Sequence, residues 1–253
     1  MTPERPNVAA LMACCAAGWW LAARRPSGAR YSAAAVTLGI AAVLGVRWAG
    51  SGHPPVFGTF EMDMAETCLL LALALPLDRL AGGRFLRGPL IVAFLTLAHT
   101  FLLRTEATPL TISEQSLWID LHAVLAWCAW VCYFHALFFA FQGGGDDDRA
   151  TRLLGYGFLA QSAMGFVGAY YGTLLFATAW SWDPVHILGL LSWLLFATAL
   201  HFRLFFGVTL HRQRYFIVFL VTVFVLSAKL AMFLRPGQSF HVFEMGSLAG
   251  GGP

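Results

Sequence analysis

Charge is scarce in this chain of 253 residues. Only 11% of the residues are charged, whereas 58% are hydrophobic, and the mean hydropathy is +0.69. A soluble domain of this length would not tolerate such a composition. Lysine is scarcer still, because Lys229 is the only lysine among 16 basic residues, and no basic tract indicates a nucleic-acid partner. The composition therefore indicates an integral membrane protein.

Cysteine pairs and zinc motifs are also missing. All five cysteines fall in apolar segments, and the spacing of Cys128 and Cys132 suits neither a C-x-x-C redox pair nor a C-x-x-C-H haem attachment site. No H-x-x-x-H or H-E-x-x-H sequence indicates zinc. We therefore interpret the cysteines as small buried hydrophobes and expect no disulfide framework.

Apolar runs of membrane-spanning length recur along most of the chain. A helix of about 20 apolar residues crosses the hydrocarbon layer, so the predicted fold class is all-α, a polytopic membrane helix bundle of about eight transmembrane helices. Residues 1–253 are interpreted as a single integral membrane domain, with a loosely ordered outer tail at about 236–253. The predicted spans are residues 7–23, 32–49, 60–80, 88–103, 116–142, 152–176, 184–206 and 214–234.

The basic residues are distributed unevenly between the two sides of such a bundle. The loops after the first, third, fifth and seventh spans hold eleven of the 16, and the opposite side holds the remaining five. Because cytoplasmic loops are enriched in Lys and Arg, both termini are predicted to lie outside. The eleven are Arg24, Arg25, Arg30, Arg79, Arg84, Arg87, Arg149, Arg152, Arg203, Arg212 and Arg214.

A tryptophan-rich segment, about residues 176–186, precedes the seventh span and is predicted to face outside; we call it the tryptophan loop. It contains the sequence Trp180-Ser181-Trp182-Asp183-Pro184. Pro184 suits the first turn of a helix, where its missing N–H has no cost, and Asp183 can cap that helix. One interpretation is therefore a capped helix start with indoles anchored at the membrane interface.

Eight histidines is a high number for a membrane protein, because an imidazole within lipid needs a partner or a function. His135 and His201 lie deeper, in the inner halves of the fifth and seventh spans, and His211 lies in a basic inner loop. For any single ring, a bond to a neighbouring carbonyl or water remains the alternative. Five histidines are predicted on the outer side: His53, His99, His122, His186 and His241.

The outer histidines and the indoles together favour haem as the ligand. Neutral imidazole is a common axial ligand of haem iron, and two helices can each supply one. His122 and His241 flank the tryptophan loop in the sequence, so both could approach a flat ligand that rests on it. Indole faces suit stacking on a porphyrin, and surface arginines can pair with its propionates.

These residues resemble the haem-handling cytochrome c assembly proteins of the CcsA, ResC and CcmC type, over roughly residues 50–245. That family has an external loop of the pattern W-G-x-x-W-S-W-D-P, and residues 180–184 match its second half. Leu200-His201-Phe202-Arg203 resembles the L-H-x-R that ends the following helix. Residues 118–122 and 239–241 resemble the two segments that supply the external haem-ligating histidines.

The resemblance implies a haem b on the external face, with His122 and His241 as its axial ligands. His201 matches the family's membrane-embedded haem histidine, and His135, at a similar depth, is a candidate partner for it at a second haem within the membrane. The loop residues expected to hold the external haem are Trp180, Trp182 and Asp183.

The implied function is the delivery of haem to apocytochrome c, together with other cytochrome c maturation membrane proteins. The implied location is a bacterial inner membrane, with the tryptophan loop on the periplasmic side. No catalytic residue is predicted, because the covalent thioether step would belong to a cytochrome c haem lyase complex of which this chain is a component.

The chain departs from the family pattern at two places. Phe176-Ala177 stands where the family has Trp-Gly, and Val185-His186 stands where it commonly has Lys-Glu, which makes His186 a further candidate ligand. Two alternatives therefore stay open. One is a di-haem b-type electron-transfer subunit of a respiratory complex that interacts with quinol and uses an outer and an inner histidine pair. The other is a haem-free scaffold subunit derived from this family.

Overall fold

Eight α-helices make up the part of the chain that the computed structural model describes, which is residues 5–56, 58–81, 83, 85–103, 115–142 and 147–230. These residues contain no β-strand, so the all-α prediction is confirmed, and each predicted span overlaps one helix. The helices are α1 (Arg5–Ala22), α2 (Pro26–Ser51), α3 (Thr59–Leu80), α4 (Arg87–Leu102), α5 (Leu117–Gln142), α6 (Asp147–Phe176), α7 (Pro184–Phe206) and α8 (Leu210–Leu230).

Hydropathy separates the helices into two kinds. By length and composition, α2, α5, α7 and the segment Leu210–Ser227 of α8 are each able to cross a membrane, and α4 is apolar but shorter. In contrast, α3 carries four buried carboxylates along one helix. The chain is accordingly a multipass helical membrane protein in which one helix brings charge into the interior.

The helices are arranged as two groups of four. In the first group, α1 packs against α2 and α4, and α3 packs against the same two helices. In the second group, α5 and α7 each pack against both α6 and α8. Each group is thus a ring of consecutive helices, the up-and-down arrangement that short loops favour. Contacts of α5 with α3 and α4 join the two groups.

The core runs through both groups and is rich in aromatic rings. Tyr133 of α5 stacks on Phe196 of α7, with ring centroids 3.6 Å apart, and touches Phe224 of α8 edge-on. Phe85, just before α4, stacks on Phe139 of α5 with the centroids 4.3 Å apart. These contacts bury large apolar surfaces and hold α5 at the centre of the molecule.

The two ends of the bundle differ in what they present. At one end α2, α4 and α6 finish and α3, α5 and α7 begin; this is where the tryptophan loop lies, and we call it the loop end. The opposite end holds the segments that contain the arginine-rich loops. The side of the membrane that each end faces stays a prediction from the arginine bias.

Candidate functional site

The tryptophan loop is shaped by a capped helix start. The Oδ1 atom of Asp183 accepts hydrogen bonds from the backbone N–H groups of Val185, at 2.8 Å, and His186, at 3.0 Å. Pro184 is the first residue of α7. The predicted cap and the predicted proline position are therefore confirmed, and both follow from local chemistry.

Inside the loop, the His186 ring is held in place by three residues. Its imidazole stacks on the Trp180 indole with ring centroids 5.3 Å apart, and its Nδ1 lies 2.7 Å from the Ser181 hydroxyl oxygen. That hydroxyl donates to Oδ2 of Asp183 at 3.1 Å, so Nδ1–H is the donor to it. The structure thus makes His186 part of the loop's own hydrogen-bond network.

The two indoles of the loop present apolar surface at the loop end. Trp180 is 39% exposed and Trp182 is 79% exposed, and the rings meet edge-to-face with centroids 5.8 Å apart. An exposed indole face beside a second indole offers a stacking surface for a planar ring system.

The departure from the family pattern at Ala177 has a structural consequence. Ala177 follows the last residue of α6 and has φ = 55°, which makes it the one non-glycine residue with positive φ among the residues described. This left-handed conformation is costly for a residue with a Cβ and costs a glycine nothing. The family's glycine therefore fits this backbone better than the alanine does.

His122 is fixed against α6, close below the loop. Its Nδ1 lies 3.0 Å from the carbonyl oxygen of Met164, and its ring lies against Gly168. Because a carbonyl can only accept, Nδ1 carries the proton and Nε2 carries the lone pair. A donor bond of this kind is usual for histidines that ligate a metal.

The register of α6 against α7 places His122 level with the loop. Gln161 of α6 donates to the Ser192 hydroxyl of α7 at 2.8 Å, and the Trp193 indole donates to Ser162 at the same distance. In this antiparallel register, Gly168 is level with the first turn of α7. The His122 ring and the last residues of the tryptophan loop are therefore brought to one end and one depth.

His135 and His201 lie in different environments. His135 is fully buried, stacks on Phe85 at 5.4 Å between centroids, and directs Nδ1 to the carbonyl of Val131. His201 is exposed on α7 and packs on Phe205 of its own helix. Among the described residues, the contacts of His135 and those of His201 involve different neighbours, so the structure does not bring the predicted inner pair together.

The remaining described histidines have other neighbours. His99 of α4 bonds Asp63 of α3, with Nδ1 and Oδ2 2.5 Å apart. His53 follows α2, bonds the Pro54 carbonyl through Nδ1, and lies close enough to Asp120 of α5 to interact with its charge. His211, at the opposite end, bonds the carbonyl of Ala140. The predicted ligand His241 and the tail at 236–253 lie outside the described residues.

His99 belongs to a cluster of ionisable side chains at the loop end of α3, which we call the α3 ion cluster. Asp63 is fully buried and pairs with Lys229 of α8 as well as with His99. Glu66 lies 3.6 Å from the same ammonium group. The members are Arg47, Glu61, Asp63, Glu66, His99 and Lys229, with Arg47 paired to Glu61. Ion pairing thus accounts for the acidic residues at the start of α3.

Sequence reasoning singled out the tryptophan loop and His122 as candidates but missed the groups that hold His122. Met164 and Gly168 lie four residues apart on α6, and a glycine inside an apolar helix was the one available signal. Nothing in the sequence around Ser181 indicates that its hydroxyl bonds both His186 and Asp183. The positioning groups are ordinary residues whose role depends on their neighbours.

Comparison with known proteins finds a family match in the second group of helices. Residues 147–235 match the family described as "Cytochrome C assembly protein". That stretch contains α6, the tryptophan loop, α7 and α8. The match therefore falls on the helices that carry the loop and the His122 contacts.

Three relatives share the name "Cytochrome c biogenesis protein CcsA". The one from Chlamydomonas reinhardtii is 28% identical over 186 residues, covering 63% of this chain and 52% of that protein. The one from Guillardia theta is 26% identical over 209 residues, covering 65% and 69%. The one from Synechococcus sp. (strain JA-3-3Ab) is 38% identical over 58 residues, covering 23% and 17%. The chain thus spans about half the length of the Chlamydomonas relative.

Proposed function

We propose that this chain handles haem in cytochrome c biogenesis, and its similarity to cytochrome c assembly proteins of the CcsA type supports this. It holds haem b at the loop end for delivery to apocytochrome c and works with other maturation membrane proteins. The observation that carries the proposal is the fixed His122 imidazole, with its proton on Nδ1, at the level of the tryptophan loop.

The residues at the loop end fit a haem. A neutral imidazole whose second nitrogen donates to a backbone carbonyl is suited to axial ligation of iron. The indoles of Trp180 and Trp182 are exposed beside it for stacking, and Asp183 keeps the loop in shape. Haem supplies the group that becomes attached to apocytochrome c, and the covalent step is assigned to a complex that includes this chain.

The second axial ligand in this proposal is His241, by the resemblance of its segment. His186 is bound into the loop by Ser181 and Trp180, so we assign it to shaping the loop. An inner haem between His135 and His201 gains no support from their surroundings, because one ring is enclosed and the other is exposed. We therefore propose one haem.

The arginine bias supports an orientation with the loop end outside. In a bacterial inner membrane this side is the periplasm, where cytochrome c receives its haem. The proposal thus places a haem-presenting surface on the side where the acceptor protein lies.

The test is the absorption spectrum of the detergent-purified protein, reduced minus oxidised, with a pyridine haemochrome assay. His122→Ala and His241→Ala should each remove or weaken a b-type spectrum, and His201→Ala, the matched control on the exposed face of α7, should leave it unchanged. A spectrum that survives both loop-end changes would overturn the ligand assignment. If the wild-type protein stays colourless when haem is supplied, the haem-handling proposal is wrong and the haem-free scaffold is favoured.

A further inference from the structure

The surface of α6 under His122 lacks a side chain at the point of contact. A Cβ built on Gly168 would lie 2.8 Å from both Cε1 and Nδ1 of His122. Carbon atoms in packed proteins do not approach ring atoms this closely, so any larger residue at 168 has to displace the ring. Glycine is therefore required for the ring to lie where it does.

One turn earlier, α6 offers a hydrogen-bond acceptor to the same ring. Residues four apart lie on one face of a helix, so the Met164 carbonyl and Gly168 face His122 together. The carbonyl accepts from Nδ1–H at 3.0 Å. A displacement forced at Gly168 would act on Nδ1 directly, because that atom is one of the two that the added Cβ would meet.

We propose that the Met164 carbonyl and Gly168 form a seat that positions His122, fixing the proton on Nδ1 and presenting Nε2 as the ligating atom. Both are positioning residues, since neither is assigned a contact with a ligand. The identity of the ligand as haem rests on the proposed function, whereas the tautomer does not. The seat is therefore testable with and without haem.

Gly165 provides a matched control on the same helix. A Cβ built on Gly165 would meet nothing within 4 Å. Gly165→Ala and Gly168→Ala thus make the same chemical change three residues apart, with the same gain in helix propensity. A difference between the two variants reports the contact with His122.

The first measurement uses the full-length haem-free protein labelled with ¹⁵N-histidine in detergent micelles. The His122 signal is identified by its loss in His122→Gln, and its nitrogen shifts report which nitrogen carries the proton. We expect the Nδ1–H tautomer in the wild type and in Gly165→Ala, and a mixture with Nε2–H in Gly168→Ala. An Nε2–H tautomer in the wild type would overturn the proposal of the seat. This result does not depend on whether the alanine variant folds.

The second measurement is haem titration of the same proteins, followed by redox titration of the bound haem. Loss of a group that orients a metal ligand typically weakens binding about 10- to 100-fold, so Gly168→Ala should weaken haem binding by about 10-fold or more. Its midpoint potential should also move, while Gly165→Ala matches the wild type in both. Equal behaviour of the two variants would overturn the proposal.

The two proposals fail in different ways. A wild-type protein that shows the Nδ1–H tautomer, lost in Gly168→Ala alone, but binds no haem would reject the proposed function and support the seat. A wild-type protein that binds haem with equal affinity and potential in both glycine variants would support the function and overturn the seat.

Discussion

The two groups of four helices stabilise their interiors with different chemistry. The first group buries charge, since Asp63 and Asp78 of α3 are both fully buried. Asp78 accepts from Arg30 at 2.8 Å and from the backbone N–H of Phe85 at 2.9 Å. The second group buries neutral polar groups, such as Gln161, which joins three helices through hydrogen bonds.

This difference decides which imidazoles remain suited to ligation. His99, at the edge of the first group, is committed to a carboxylate partner. In the second group, His122 bonds a neutral carbonyl and keeps the lone pair of Nε2. The first group of helices therefore contributes buried ion pairs to the fold. The second group, where the family match lies, carries the candidate site.

The largest effect on the free energy of unfolding is expected from Asp63→Asn in the first group of helices. Removing one partner of a buried ion pair leaves the other charge uncompensated, which typically costs about 3–5 kcal/mol. Here Lys229 loses the carboxylate that it bonds and keeps only Glu66, whose Oε2 lies 3.6 Å from the ammonium group. The free energy of unfolding in detergent micelles measures the loss.

Asp148→Asn is the matched control for that change. The Asp148 carboxylate also pairs with a cation, Arg203, but it is 78% exposed, so its loss should cost about 1 kcal/mol or less. Similar losses in the two variants would show that the α3 ion cluster does not stabilise the fold by burial of charge.

A smaller effect on the free energy of unfolding is expected from Gln161→Leu in the second group of helices. The change leaves the buried Tyr133 hydroxyl and the Ser192 hydroxyl without this partner, which costs about 1–3 kcal/mol. Unfolding by denaturant measures it. Thr198→Val, an exposed site on α7 whose hydroxyl bonds only its own helix, should stay within about 0.5 kcal/mol of wild type. A loss at Gln161 as large as that at Asp63 would contradict the distinction between the groups.

Asp183→Ala should destabilise the protein by about 1 kcal/mol, because α7 loses its side-chain cap. Thermal unfolding measures the change. Asp183→Asn keeps an oxygen that can accept the same bonds and should lose much less. If the asparagine variant is as unstable as the alanine variant, the negative charge and not the cap is what matters.

The smallest effect, and the one in the opposite direction, is expected from Ala177→Gly. Glycine relieves the left-handed strain at φ = 55° but adds freedom to the unfolded chain, so the net gain should be about 1 kcal/mol or less. The midpoint of thermal unfolding should rise. Ala179→Gly, in the same loop but without positive φ, should lower the midpoint. If the midpoint rises in both variants, the gain comes from loop flexibility and not from relief of strain at residue 177.

The features that follow from local sequence were predictable, and those that depend on helix rotation were not. Apolar runs gave the eight helices, and Asp183 with Pro184 gave the start of α7. In contrast, α5 is apolar on all sides, so its sequence does not reveal which face meets which neighbour. The sequence predicts a similar depth for His135 and His201, yet the His135 ring is buried in the core and the His201 ring is exposed.

Long-range partners were the second kind of feature that the sequence left undetermined. The ion-pair partners of the acidic residues at the start of α3 come from three other helices. The contact between His122 and Gly168 likewise joins residues whose spacing in the sequence carries no periodic signal. Such contacts depend on the packing of whole helices.

The bond between Lys229 and Asp63 also bears on the order in which the protein is made. The two residues are 166 positions apart and belong to different groups, whereas the pairings within each group join helices at most three apart in the chain order. A ribosome releases the first four helices long before α8 exists. During that interval Asp63 has His99 as its partner but not its ammonium group. The ion pair between α8 and α3 therefore forms only after α8 has been synthesised, so its contribution to the first group comes late.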